Sequence, residues 1–179
     1  MDHIDRDGFR ANVGIILSNR EDQVFLGGRT RQNGWQFPQG GIRADETVED
    51  AMYRELQEEV GLQPHHVEIL GSTQGWIRYE LPGKYIRRDV HPVCIGQKQR
   101  WFLLRLVGDD SLVRLDTSRI PEFNRWRWVD YWRPVREVIY FKRKVYVQAL
   151  QELGPVLFSD SVPPRPHWWP KAWDFQDND

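Results

Sequence analysis

The chain has 179 residues, enough for one domain with a substantial core, and 40% hydrophobic with 28% charged residues is an ordinary globular balance. No run of about 20 apolar residues occurs and the start, MDHIDRDGF, is acidic and polar, so neither a membrane span nor a secretory signal is expected. One cysteine, Cys94, excludes an intrachain disulfide, and a buried thiol in a reducing cytoplasm is the expectation. The net charge of −1 is unevenly spread: residues 40–62 carry seven acids against two bases, while the remainder is mildly basic. That distribution suits a polyanion that arrives with its counter-cations.

In chain order, residues 11–18 (ANVGIILS) and 23–29 (QVFLGGR) read as strands around a turn at 19–22. Residues 35–38 (WQFP) lead into the glycine pair at 40–41, and a helix follows, ended by Gly61, a residue suited to the left-handed conformation. Asp45, Glu46, Glu49 and Asp50 crowd its start, where the helix dipole favours them. Val48, Met52, Leu56 and Val60 give it an apolar row to bury. Extended segments are expected at 67–73, 75–81 and 85–88, the last two around a turn at 82–83, and strands at 100–107 and 125–129. A second helix is expected over 142–153, with Val145, Ala149, Leu150 and Leu153 inward. From residue 159 four prolines argue against regular structure, so the Pro- and Trp-rich tail either wraps along the body or stays mobile. The domain is therefore taken as residues 1–158 and the tail as 159–179.

The helix carries the chemistry. At about 100° per residue, Glu55, Glu58 and Glu59 fall within roughly a third of its circumference. Glu55 and Glu59 are like charges four residues apart, which repel unless a partner intervenes. A hard divalent cation, Mg²⁺ or Mn²⁺, is such a partner, and a solvated acidic face is the plainer alternative.

The segment reads Gly40, five residues, Glu46, seven residues, then Arg54, Glu55, Leu56, Glu58, Glu59, Gly61 and Leu62. With those spacings it resembles the box of the Nudix hydrolases. The resemblance implies an α/β/α sandwich with a mixed sheet and hydrolysis of a phosphoanhydride bond. Further segments, WQFPQGGI, RDVHPVCIGQKQRWFLLRL, PEFNRWRWVDYW and VIYFKRKVY, are similar to the bacterial RNA 5′-pyrophosphohydrolases, a group that includes diadenosine polyphosphate hydrolases. This similarity runs from about residue 7 to residue 153 and leaves out the tail.

The resemblance assigns roles residue by residue. It implies that Mg²⁺ or Mn²⁺ would be held by Glu55, Glu58, Glu59 and Glu122, with Glu55 or Glu59 as general base. Glu46, Arg54 and Gly61 would brace the box. Arg10, Arg29 and Lys98 would meet phosphates, with Gly40 and Tyr79 near the substrate. Ile139, Phe141 and Lys142 would grip a base of single-stranded RNA. The family often has two adjacent basic residues at the end of the second strand, whereas here Gly28 precedes Arg29. The expected reaction converts 5′-triphosphate or diphosphate RNA ends to monophosphate in the cytoplasm, promoting mRNA decay. Hydrolysis of a dinucleoside polyphosphate is the nearest alternative, and a catalytically idle RNA- or protein-binding module the more distant one. A stimulating protein partner is not legible.

Overall fold

The computed structural model describes residues 3–175. Its centre is a mixed sheet in which β1 (Phe9–Ser18) runs parallel to β7 (Gly96–Leu106), in register from Phe9 beside Gly96 to Ser18 beside Arg105. On one side β2 (Val24–Arg29) pairs antiparallel with β1, with β3 (Trp35–Gln36) and with β8 (Phe123–Val129). On the other, β5 (Val67–Ser72) and β6 (Ile77–Glu80) both pair antiparallel with β7. The short β4 (Gln39–Gly41) lies against β1, Gly40 beside Val13. Central strands covered on both faces need apolar residues at odd and even positions alike. β1 meets that need: Val13, Ile15 and Leu17 belong to one apolar cluster and Ile16 to the other.

Each face carries a helix, and the expected α/β/α sandwich is observed. The helix α1 (Val48–Val60) starts at Thr47, whose hydroxyl accepts the Asp50 N–H at 3.1 Å, and ends on Gly61 at φ 75°. It buries Ala51, Met52, Leu56 and Val60 with Val13, Phe102 and Leu104. Beneath the opposite face, α2 (Arg133–Glu137) and α3 (Arg143–Leu157) bury Val135, Val145, Tyr146, Ala149, Leu150 and Leu153 against Ile16, Trp101 and Leu103. The Tyr146 hydroxyl accepts the Phe37 N–H at 2.9 Å and so ties α3 to the link between β3 and β4, just before the glycine pair.

Four departures from the sequence expectations are informative. Residues 85–88 are not extended: a 3-10 turn at Gly83–Tyr85 follows β6, because β6 takes its partners from the start of β7 and leaves this stretch none. β7 begins at Gly96, four residues earlier than its apolar run, since the polar Gln97 to Arg100 pair with β1 and β6. The short α2 has no counterpart among the expected elements, as five residues are too few to show a helical period. Finally, α3 starts at Arg143 and continues past Pro155 to Leu157, with the proline on its exposed side.

The tail wraps along the body rather than hanging free. Trp132 donates its indole N–H to the Pro163 carbonyl at 2.8 Å, and the Arg165 guanidinium lies over the rings of both Trp132 (4.4 Å) and Trp169 (4.5 Å). Trp169 donates to Asp174 at 2.9 Å, a 3-10 turn forms at Lys171–Trp173, and Arg143 lies over Trp173 at 4.7 Å. Val162 crosses α3 so closely that a Cβ on Gly154 would come within 3.1 Å of it. Tail residues 176–179, like residues 1–2, lie outside the described residues. Removing residues 160–179 uncovers Trp132 and the start of α3. Thermal denaturation should show a Tm lowered by about 4–8 °C, as the loss of about 2 kcal/mol implies for a chain this long. An unchanged Tm would mean that the wrap contributes nothing.

Candidate active site

The site is built where the box helix passes beneath the glycine pair. Gly40 sits directly over Glu55: a Cβ there would fall 1.9 Å from the Glu55 carboxyl carbon, so only glycine leaves that carboxylate room. One helical turn further along, the Glu59 carboxylate accepts the Gln39 backbone N–H at 3.1 Å. The strand β4 thus lies across two of the box glutamates.

Arg54 organises the rest of the box. Its guanidinium donates to both oxygens of Glu46 (2.5 and 3.0 Å), to Glu55 (2.7 Å), to Glu58 (3.4 Å) and to the Gly41 carbonyl (2.7 Å). Glu46 also accepts the Arg43 N–H at 2.8 Å, so the loop is stitched to the helix through one salt-bridge pair. Arg54 holds the Glu46 carboxyl below the usual carboxylate range, and the surrounding acids raise the Arg54 pKa in turn. The contrast with the metal-binding candidates is sharp. Burial, together with Glu58 and Glu46 nearby, pushes Glu55 up to about 7 in spite of Arg54. Glu59 rises well above its ordinary value through burial and through repulsion from Glu55, Glu122 and Glu58. These acids therefore feel one another's charge, and a single arginine does not neutralise them.

A second polar network borders the first. Glu122, just before β8, lies 3.5 Å from Arg29 Nε and 3.4 Å from Gln36 Nε2. Gln36 in turn accepts from the buried Lys142 at 3.4 Å, and burial, with Arg29 close by, lowers that lysine to about 8. Arg29, Arg31 and Glu122 line a small polar cavity of about 230 Å³. As the side chains stand, no three His, Cys, Asp or Glu of the described residues enclose a cation. Arg54 draws Glu55 and Glu58 to itself, while Glu122 turns to Arg29. The donor set nonetheless fits a hard divalent ion: its ligating atoms are carboxylate oxygens, it carries surplus negative charge, and the absence of a side chain at Gly40 leaves room for the Glu55 carboxylate.

The remaining candidates divide by face. The register sets Arg10 beside Gln97, which in turn faces Tyr79. Lys98, one residue on, points to the other face, pairs with Asp5 at 3.0 Å and lies over the Trp76 ring at 5.0 Å. Phe141 is half-buried beside Tyr79 (5.9 Å), Tyr85 (5.5 Å) and Tyr140 (5.5 Å), and Ile139 packs against the same core. Phe141 and Lys142 lie in a 3-10 turn, Tyr140–Lys142, at the foot of α3. Cys94 is only partly buried, against expectation, and its thiol donates to the Gly96 carbonyl at 3.1 Å. Two residues outside the sequence-based set matter here: Gln36 bridges Glu122 and Lys142, and Gln39 presents its N–H to Glu59. Both stand inside the WQFPQGG stretch, where the motif is a signal but a lone glutamine is not.

With the geometry in view, the chain can be placed. The model of the NUDIX domain matches residues 8–150, and the chain belongs to the Nudix family. It is 63% identical over 163 residues to an RNA pyrophosphohydrolase of Alkalilimnicola ehrlichii, covering 91% of this chain and 90% of that protein. It is 62% identical over 160 residues to the RNA pyrophosphohydrolase of Thioalkalivibrio sulfidiphilus, covering 89% and 92%. Among solved structures, the E. coli dihydroneopterin triphosphate pyrophosphohydrolase superposes with a TM-score of 0.60 at 17% identity, covering 79% of this chain and 95% of that one, a likeness of fold. No helix among the described residues is long and apolar enough to cross a membrane.

The raised proton affinity of Glu55 and Glu59 has a signed consequence. A carboxyl that binds its proton more tightly folded than unfolded stabilises fully below its ordinary value, and the contribution is lost as pH rises through its folded value. In the absence of divalent cation, urea denaturation should therefore show stability falling between about pH 5 and about pH 8, and Glu55→Gln should flatten that fall. An identical pH slope in the variant would contradict the assignment.

Proposed function

We propose that this chain is a divalent-metal-dependent RNA 5′-pyrophosphohydrolase of the cytoplasm, converting 5′-triphosphate or diphosphate ends to monophosphate and thereby promoting mRNA decay. The observation that carries the reading is identity above 60% along some nine-tenths of the chain to proteins named RNA pyrophosphohydrolase. It is supported by an intact set of box glutamates beneath Gly40 and by an aromatic cluster at the foot of α3. Residues 1–158 form the catalytic domain on this reading, and 159–179 the tail that braces it.

Glu55, Glu58, Glu59 and Glu122 are the residues assigned to hold Mg²⁺ or Mn²⁺. Bound there, the cation supplies positive charge for the polyphosphate and makes a nearby water more acidic. Glu59 or Glu55 accepts the proton of the attacking water, since both sit in surroundings that raise proton affinity. Arg54 keeps the helix and the Gly41 carbonyl in fixed relation, so Glu46, Arg54 and Gly61 serve the site by position. Arg10 and Arg29 provide charge for phosphates, while Lys98, paired with Asp5 on the face opposite Arg10, stands apart from them. Phe141, with Ile139 and Lys142, offers a ring and an apolar edge to an RNA base, with Tyr79 behind it.

Purified protein assayed on end-labelled RNA tests the scheme. Glu59→Gln and Glu55→Gln should lower turnover by about 10²–10⁴-fold with the fold retained, the larger loss marking the base, and chelator should abolish hydrolysis. Full turnover in both variants eliminates the scheme.

Dinucleoside polyphosphates present the same bond without a strand beyond it, so the ratio of rates on triphosphorylated RNA and diadenosine tetraphosphate distinguishes the two substrate classes. Phe141→Ala should reduce the RNA rate by about five- to 100-fold while leaving the dinucleotide rate within about threefold. Equal losses on both would remove the base-gripping role.

A further inference from the structure

Gln36 is polar yet buried, 3% exposed, in a strand of only two residues. A buried amide must find partners for both its ends, and here the two ends meet opposite charges. Its nitrogen donates to Glu122 Oε1 at 3.4 Å, and its oxygen accepts from the Lys142 ammonium at 3.4 Å. Lys142 is itself buried, in the turn at the foot of α3, and among the described residues no carboxylate forms an ion pair with it. An ammonium kept from water in this way is costly unless an anion comes to it. Glu122 and Glu59 are the acids whose charge it feels.

The carboxylate at the other end of the amide is held loosely. Its backbone is fixed, the Glu122 carbonyl accepting the Thr30 N–H at 2.9 Å, so the side chain is the part able to turn. Arg29 Nε stands 3.5 Å from Glu122 Oε1 without forming a hydrogen bond to it. One guanidinium placed like this leaves the carboxylate free to swing toward a cation. A second, buried cation in direct contact would pin it, because opposite charges attract far more strongly away from water. Gln36 stands where that pair would form. Its amide carries no net charge, satisfies both groups, and holds the ammonium and the carboxylate apart.

We propose that Gln36 is a positioning residue that keeps Lys142 and Glu122 from pairing with each other, so that Glu122 stays available to the divalent cation. The inference rests on the assignment of Glu122 to the cation under the function proposed above, and deepens it. Gln36 touches neither cation nor substrate in this role and acts through the two side chains it separates. Lys142, kept off Glu122, likewise keeps its charge for the substrate. Removing the Gln36 side chain lets the flexible lysine close on the carboxylate, whereas a glutamate in its place takes the lysine for itself.

Mn²⁺ binding to the whole protein, followed by the electron paramagnetic resonance signal of the free ion, tests the proposal without recourse to turnover. Glu122→Gln sets the reference and should weaken binding by about tenfold. Gln36→Ala should weaken it by a similar factor. Adding Lys142→Met to Gln36→Ala should return the affinity to within about threefold of the unaltered protein. Gln36→Glu should keep the affinity at or above its starting value. Full Mn²⁺ affinity in Gln36→Ala overturns the inference. So does a loss that persists once Lys142 is replaced, since Gln36 would then be a packing residue only. A loss in Gln36→Glu also overturns it, and that variant decides the matter if Gln36→Ala does not fold. Unchanged Mn²⁺ binding in Glu122→Gln would sink the metal assignment itself, and this inference with it.

Discussion

Crowded negative charge along α1 and the loop before it is the constraint that governs this molecule. Glu46, Glu55, Glu58 and Glu59 lie close together, Glu122 is near enough to repel Glu59, and one guanidinium, that of Arg54, is shared among the first three. Arg54 satisfies Glu46 fully and Glu55 in part, which leaves Glu59 held by the Gln39 backbone N–H. Such a cluster is costly in isolation, because removing charges from water without partners raises their free energy by more than neighbouring dipoles return. Its retention makes sense if a cation completes it. The same surplus would exclude a bare polyanion, so metal and polyphosphate are expected to enter together.

The fold supplies the rigidity that such a site needs. Parallel pairing of β1 with β7, apolar on both faces, gives a platform against which α1 and α3 are each clamped. The glycine pair reaches the glutamates because β4 pairs with β1, and Tyr146 fastens Phe37, just upstream, from the other face. Gly40 contributes by what it lacks: any side chain would occupy the space of the Glu55 carboxylate. The tail adds a further restraint. By laying Arg165 over Trp132 and Trp169 and Trp173 beside Arg143, it braces α2 and the start of α3 from outside.

Substrate preference, on this view, is written away from the metal. A fold does not by itself select a substrate. Choice among phosphoanhydrides depends on the group carried beyond the bond, and the rings of Tyr79 and Phe141, 5.9 Å apart, are what this chain is proposed to offer there. Stacking accepts any base face, so such a surface selects for a strand while staying tolerant of its sequence.

The sequence by itself determined the box helix, its cap and stop, the apolar row that buries it and the family it belongs to, because these depend on residues close together in the chain. Spacing of 3.6 and 2 residues also made most strands and α3 legible. Only the tertiary structure decided which distant groups meet: Glu122 with Arg29 and Gln36, Gln39 with Glu59, and Lys98 with Asp5 on the face opposite Arg10. It likewise decided that residues 85–88 stay outside the sheet and that the tail wraps. Those outcomes follow from sheet register and from which edges remain unpaired, quantities set by contacts between segments far apart in the chain, which no local pattern encodes.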